Sequence, residues 1–342
     1  MSSLKWKEMD RKNVILVDMP VSHDWGILKG LQEETKESWH IYYKEGRLSV
    51  PRWRRMWNYI FFPFSIAFKN VKNVIAWQQF YGFLFLLYCQ LLKNHKNANV
   101  FILTFIYKER RGILGWIYRQ FVYNVLNNSR LKEIIVYSNN ELSYYSKKFP
   151  HVKSKFKFLH LGISDISDSV YVDEKLRKEN YIFTAGASNR DYDFLMSVMT
   201  DTRYKLKIAC DGLMQNCPHN VEILHDVHDK KMYQYLFNCK IVVIPLKDLN
   251  ISSGQLMLLQ AMQLGKPIIV SNNKGIYDYI SDKNTGFVID NDKNKWISQI
   301  EELFSNEALY EDISKKQKDC FKNNFSVYSL GKNIGRELKK YE

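Results

Sequence analysis

Residues 252–289, SSGQLMLLQAMQLGKPIIVSNNKGIYDYISDKNTGFVI, decide how the rest of the chain is read. The run IVVIP at 241–245 stands before them, β-branched and of strand length. Ser252, Ser253, Gly254 and Gln255 form a polar, glycine-containing loop that opens a helix over 254–264. Gly265 and Pro267 stop that helix, and 268–271 (IIVS) resumes a strand. Strand, polar loop, helix and strand in that order are the repeating unit of a parallel α/β sheet. The free N–H groups and positive dipole end of such a helix make an anion site. An ordinary helix start in an α/β domain fits the same residues.

The alternation continues outward. Strands are expected at 181–185, 205–210 and 221–224, with helices over 192–199 and 230–238. A charged run at 173–180 reads as a linker, and before it the pattern recurs. Strands fall at 13–20 (NVILVDMP), 39–43, 74–77, 99–107, 133–138 and 156–161, with helices over 27–37 and 114–126. The expected fold is α/β, with two Rossmann-like doubly wound domains facing a cleft. The N-terminal domain is expected over 1–172 and the C-terminal domain over 173–325. A last helix, 326–342, is expected to cross back to the first domain. At 342 residues and 46% hydrophobic composition the chain can bury two cores, which excludes a disordered polymer.

Charge is unevenly spread. Residues 1–157 hold 26 Lys and Arg against 11 Asp and Glu, a net of +15 within a total of +14. Such asymmetry points one domain at a polyanion: a membrane surface, a phosphorylated acceptor or nucleic acid. In 52–68, RWRRMWNYIFFPFSIAF, Arg52, Arg54 and Arg55 interleave with aromatics led by Trp53 and Trp57. That pattern suits a membrane interface; a core-facing helix with a basic outer face is the alternative. Lys108 opens a second basic loop. Residues 73–92 carry no charge, but Asn73, Gln78 and Gln79 argue for a buried strand and a core or interfacial helix rather than a span. The start of the chain is polar, with no apolar signal core. The five scattered cysteines show no zinc or CxxC spacing. The expected location is therefore cytoplasmic, peripheral on the cytoplasmic face of the cell membrane.

Gly254, Gln260-Ala261-Met262, Gly265-Lys266-Pro267-Ile268-Ile269, Gly275 and Thr285-Gly286-Phe287-Val288 together resemble the donor-binding signature of GT-B glycosyltransferases. The closest pattern is that of glycosyltransferase family 4 (glycosyl transferases group 1), S-x-G-x5-E-A-M-x-x-G-K-P-V-I. Residues 183–196, FTAGASNRDYDFLM, are similar to that family's strand, glycine, loop and basic residue. The resemblance implies a UDP- or GDP-sugar donor. Gly186, Ser188, Asn189 and Arg190 would hold its diphosphate with Ser252, Ser253, Gly254 and Gln255. Gln260 would reach the ribose and Val227 the base. It implies no required cofactor and no metal. Asp191-Tyr192-Asp193 mimics a metal-binding DxD but sits at a helix start, where acids favour the dipole. His225 and His228 around Asp226 match no strong metal spacing.

The chain also departs from the family. Ala187 stands where an arginine is frequent. Gln260 replaces the second of two glutamates, and Ser252 or Ser253 the first. The resemblance implies a retaining hexosyltransferase, but a missing first carboxylate leaves an inverting route open, with His23 or Asp24 as general base. The expected function is bacterial: sugar transfer to a lipid-linked oligosaccharide acceptor for a surface polysaccharide. The alternatives are a degenerate accessory subunit, or a transferase acting on protein or nucleic acid; nucleic acid is the less favoured partner.

Overall fold

The structure, a computed structural model, describes residues 12–22, 24–44, 51–93, 98–213, 216–249 and 253–342. Residues 1–159 with 331–342 form one compact unit and 160–330 a second. The charged run 173–180 suggests a join at 172/173 in sequence. The structural join lies nearer the end of the first sheet, because the following segment bonds into the second unit. Ile163 N donates to Phe325 O, Ile166 N to Gln263 Oε1 and Asp173 N to Asn238 Oδ1.

The first unit holds β1 (Lys12–Val17), β2 (Trp39–Tyr43), β3 (Val71–Ala76), β4 (Asn99–Ile102), β5 (Leu131–Val136) and β6 (Phe156–Phe158). They pair all-parallel in the order β2-β1-β3-β4-β5-β6. Their β-branched residues are buried on both faces, as a parallel sheet requires. A ladder of asparagines crosses the sheet. Asn73 Nδ2 donates to Asn13 Oδ1 and Asn99 Nδ2 to Asn73 Oδ1, each at 3.0 Å, and Asn13 Nδ2 reaches Glu37 Oε2 at 2.6 Å. Slipping any of these strands by one residue would bury an unpaired amide, so the ladder helps fix register.

Helices α1 (Gly26–Thr35), α2 (Arg52–Ile66), α3 (Gln79–Leu91), α4 (Gly112–Leu126) and α5 (Asn139–Lys148) accompany this sheet. The uncharged segment divides into β3 and α3, as its polar residues require. At ~1.5 Å per residue α3 spans about 20 Å, short of a ~30 Å bilayer core. No helix among the described residues is long and apolar enough to cross a membrane. In α2 the inner positions Tyr59, Phe62 and Ile66 serve the core, while Trp53, Met56, Trp57 and Phe61 remain exposed. Trp53, Trp57 and Phe61 thus face outward along with Arg54.

The second unit holds β7 (Ile182–Ala185), β8 (Leu206–Ala209), β9 (Val221–Leu224), β10 (Ile241–Ile244), β11 (Ile268–Ser271) and β12 (Phe287–Ile289), again all-parallel, in the order β12-β11-β10-β7-β8-β9. With them lie α6 (Glu174–Lys178), α7 (Tyr192–Thr200), α8 (Asp229–Asn238), α9 (Gln255–Gln263), α10 (Lys293–Ser305) and α11 (Glu307–Asn324). The last helix, α12, is Val327–Lys339. Its C-terminal part belongs to the first unit, where Lys339 meets Glu34 at 2.8 Å and Lys332 meets Glu33 at 3.0 Å.

Tyr341, beyond α12, donates its hydroxyl to Glu133 Oε1 at 3.1 Å. Glu133 lies on β5 with 0% exposure. Burial first, and the neighbouring Glu337 carboxylate second, push its pKa up to about 7. The folded chain therefore holds this proton to higher pH than the unfolded chain does. The associated stability is complete below the unfolded glutamate pKa of ~4.3 and is lost as pH rises through about 7. Glu133→Gln should match the parent protein in thermal unfolding near pH 4.5. It should be more stable by on the order of 2 kcal/mol at pH 8. An offset that does not change with pH would refute the assignment.

Candidate functional site

The second sheet grows in opposite directions from the β7–β10 pair, β8 following on one side and β11 on the other. In open parallel sheets ligands bind at such a switch, beyond the strand carboxyl ends. Two loops leave the sheet there, 186–191 after β7 and one after β10 whose described residues are 245–249 and 253–254. The first starts with Gly186 at φ +104, a region that favours glycine, and contains Asn189 at φ +54, where asparagine is tolerated.

Asn189 fastens the two loops together. Its Nδ2 donates to Asp248 O at 2.9 Å and to Ser253 Oγ at 2.8 Å, and its Oδ1 accepts from Asp248 N at 2.7 Å. Asp191 N reaches Pro245 O at 3.1 Å, and Asp191 Oδ1 caps α7 by accepting from Phe194 N. Ser271, Asn273 and Asn291, which the sequence did not single out, brace the second loop. Leu246 N donates to Ser271 Oγ at 2.8 Å, Ser271 Oγ to Asn291 Oδ1 at 2.6 Å, and Asn291 Nδ2 back to Leu246 O at 3.0 Å. Asn273 Nδ2 reaches Asp248 O at 3.4 Å. The polar run 271–273 directly after a buried strand was the available signal.

Arg190 is half-buried between the two glycines. An added Cβ on Gly186 would lie 3.4 Å from its Nη2, and one on Gly254 3.9 Å from its Nη1. Nε donates to Ala185 O at 3.3 Å and Nη1 to Ser188 O at 3.1 Å. Among the described residues no carboxylate pairs with it. Burial accordingly pulls its pKa down, although a guanidinium stays charged. Beside it α9 begins at Gly254, φ +89, with no capping side chain among the described residues and no acid in its first turn. A Cβ at Gly254 would also come within 3.0 Å of Ile244. Further along α9, Gln260 is 4% exposed and its amide makes no hydrogen bond among the described residues. An unpaired cation, an uncapped helix start and an idle amide lie at one sheet edge. That set can bind an anion carrying hydroxyls on one side.

The structure thus brings together Gly186, Asn189, Arg190, Ser253, Gly254, Gln255 and Gln260. Ser188 is exposed at the rim, and Val227, after β9, is buried in the core. Lys247, an exposed cation not singled out in sequence, follows β10 with its N–H on Asn189 O at 3.3 Å. Ser252 and His23 lie outside the described residues. Asp24 is in the first unit, exposed and ion-paired to Lys29 at 3.0 Å. Trp53, Arg54, Trp57 and Lys108 are exposed and Arg55 half-buried; Arg52 starts α2. His228 Nε2 lies 3.0 Å from Asp211 Oδ2, and Asp226 completes an exposed trio whose ligand atoms fall within 4.8 Å of one another.

A sequence model of the family "Glycosyl transferases group 1" matches residues 202–319. A search of curated protein sequences gave no match. Among solved structures the chain is similar to sucrose-phosphate synthase from Thermosynechococcus elongatus, with TM-score 0.66 and 12% identity over 96% of this chain and 99% of that one. It is similar to Anabaena HepE in complex with UDP-glucose, with TM-score 0.65 and 10% identity over 97% and 100%. It is also similar to a glycosyltransferase from Rickettsia africae, with TM-score 0.63 and 15% identity over 96% and 98%. The fold is GT-B, and the second unit carries the group 1 signature; together they support sugar transfer.

Asn189→Ala removes three side-chain hydrogen bonds that hold the two loops together. It should lower stability by about 1–2 kcal/mol, read as a lower urea midpoint, and should expose 247–249 to proteolysis. An unchanged midpoint and digest would show that the loops hold without it.

Proposed function

We propose that this chain, a glycosyltransferase by its GT-B fold and group 1 signature, moves a hexosyl group from a nucleotide sugar to a lipid-linked oligosaccharide at the cytoplasmic face of a bacterial membrane, in surface polysaccharide synthesis. The observation that carries the donor half is Arg190, unpaired beside the uncapped start of α9 at the switch point. A diphosphate supplies the charge that this guanidinium lacks and accepts from the free N–H groups of α9. Gln260 is placed on the same helix to take a ribose hydroxyl. The solved complex of HepE with UDP-glucose makes a UDP-sugar the first donor to try.

The acceptor half rests on the first unit. Between residues 51 and 126 there are 11 Lys and Arg and one acid, Glu109, and α2 turns aromatic side chains outward among its arginines. Cations with exposed interfacial aromatics suit an anionic lipid surface, where Arg and Lys meet headgroup phosphates and the rings settle at the acyl boundary. Retention is the favoured outcome because the group 1 resemblance implies it; an inverting route would draw its general base from Asp24 or His23. The accessory-subunit alternative draws on the absent glutamates: Gln260 is neutral and Ser253 Oγ is committed to Asn189.

Titration of purified protein with a panel of UDP- and GDP-sugars tests the reading. One donor should bind and, with a polyprenyl-linked glycan, turn over. Arg190→Ala should weaken that donor at least tenfold, ~1.4 kcal/mol or more, with Arg190→Lys intermediate. Turnover abolished by Arg190→Ala removes the accessory reading, and failure of every donor to bind removes the enzymatic one.

A further inference from the structure

The three helices on one side of the first sheet run parallel to one another. Tyr59 of α2 meets Tyr81 of α3 at 5.5 Å and Phe64 meets Tyr88 at 5.1 Å; Phe83 of α3 meets Phe121 of α4 at 5.9 Å. Each follows the carboxyl end of a strand, β2, β3 or β4, so their N-terminal ends gather at one edge of the sheet. The start of α4 and the loop before it carry large apolar side chains that the described residues leave exposed. Ile113 is 80% exposed, Leu114 79%, Ile106 62%, Trp116 55% and Ile117 50%. Lys108, Arg110 and Arg111 stand within this group in sequence, and the acid among them, Glu109, is paired with Lys148.

We propose that this tip, Ile106 with residues 113–117, is a membrane-inserting wedge, distinct from the aromatic face of α2 and seated in an anionic bilayer. Four aliphatic or indole side chains at one helix start cannot be satisfied by a charged surface alone; they require hydrocarbon or another apolar face. The basic collar decides between these. A symmetric contact with a second copy would bring Lys108, Arg110 and Arg111 against their own counterparts, whereas lipid phosphates neutralise them. The proposal rests on the membrane reading above and deepens it. The wedge enters the acyl boundary while the arginines hold phosphates, and the strand carboxyl edge of the first sheet is kept at the surface where an amphiphilic acceptor with an anionic headgroup is presented.

Vesicle flotation tests this with phosphatidylcholine alone and with phosphatidylglycerol included, at low and high salt. The parent protein should float with the anionic vesicles and keep part of its binding at high salt. Ile113→Asp with Leu114→Asp should lower partitioning at least tenfold and make what remains fully salt-sensitive, with donor binding unchanged as the folding control. Should that variant misfold, quenching of the parent protein by brominated lipid should lose a component in Trp116→Phe. If the parent protein fails to float at all, the membrane reading itself falls. If it floats and neither the double variant nor Trp116→Phe changes anything, the wedge is overturned and the membrane reading stands. Conversion of a dimer to a monomer by the double variant, with flotation unchanged, would assign the tip to a second copy and likewise overturn it.

Discussion

Parallel strand pairing governs this molecule. A parallel neighbour can be reached only by a crossover along one face of the sheet. Every strand therefore ends, and every following helix begins, at the same edge. In the second unit the rule lines up the loops after β7 and β10 where the order reverses, and adds the uncapped start of α9. In the first unit it lines up the starts of α2, α3 and α4. One edge is polar and cationic, the other apolar and cationic, and the difference is local sequence written onto the same architecture. Gly186, Asn189 and Gly254 permit close turns around Arg190, whereas Ile113 and Leu114 present side chains that the fold leaves uncovered.

The polar edge is prepared in advance of any ligand. Asn189 ties both loops through its amide, and the Ser271–Asn291–Leu246 bonds pin the second loop at its root. Arg190 is held by two backbone carbonyls that orient the guanidinium without neutralising it. Holding an unpaired cation half out of water costs stability. The cost is tolerable because the carbonyl bonds remain, and it becomes a binding advantage when an anion arrives. Fixed donors need little reorganisation when charge develops on a ligand, which is the condition for strong electrostatic stabilisation.

The strands were legible because buried parallel strands read as β-branched runs bounded by polar residues. Residues 241–244 and 268–271 are typical, and Gly265 with Pro267 marked the end of α9 just as directly. What could not be read are pairings between residues distant in sequence. The amides of Asn13 and Asn73 meet across 60 positions, and Tyr341 meets Glu133 across 208. In sequence Glu133 is an acid within a strand; its raised pKa exists only once the C-terminal residues cover it. Asn189 was visible as a loop polar residue, but its role as a fastener depends on where β10 places Asp248 and Ser253. The segment 52–68 allowed either an interfacial or a core-facing helix. Packing decides how it turns, since Tyr59, Phe62 and Ile66 fill the available core and leave Trp53 and Trp57 outside.

The same edge constrains the chemistry. Gln260 and a serine stand at the positions where the resemblance expects glutamates, and neither side chain carries a negative charge. Those two positions therefore place no negative charge beneath an oxocarbenium-like centre. The site can stabilise the charge that appears on the departing diphosphate, through Arg190 and the first turn of α9. In the transfer proposed above, breaking the sugar–phosphate bond would be driven from the leaving-group side, and the departing oxygen would take the proton that the attacking hydroxyl loses. That route asks for no dedicated base. It makes neutral side chains at those two positions compatible with sugar transfer.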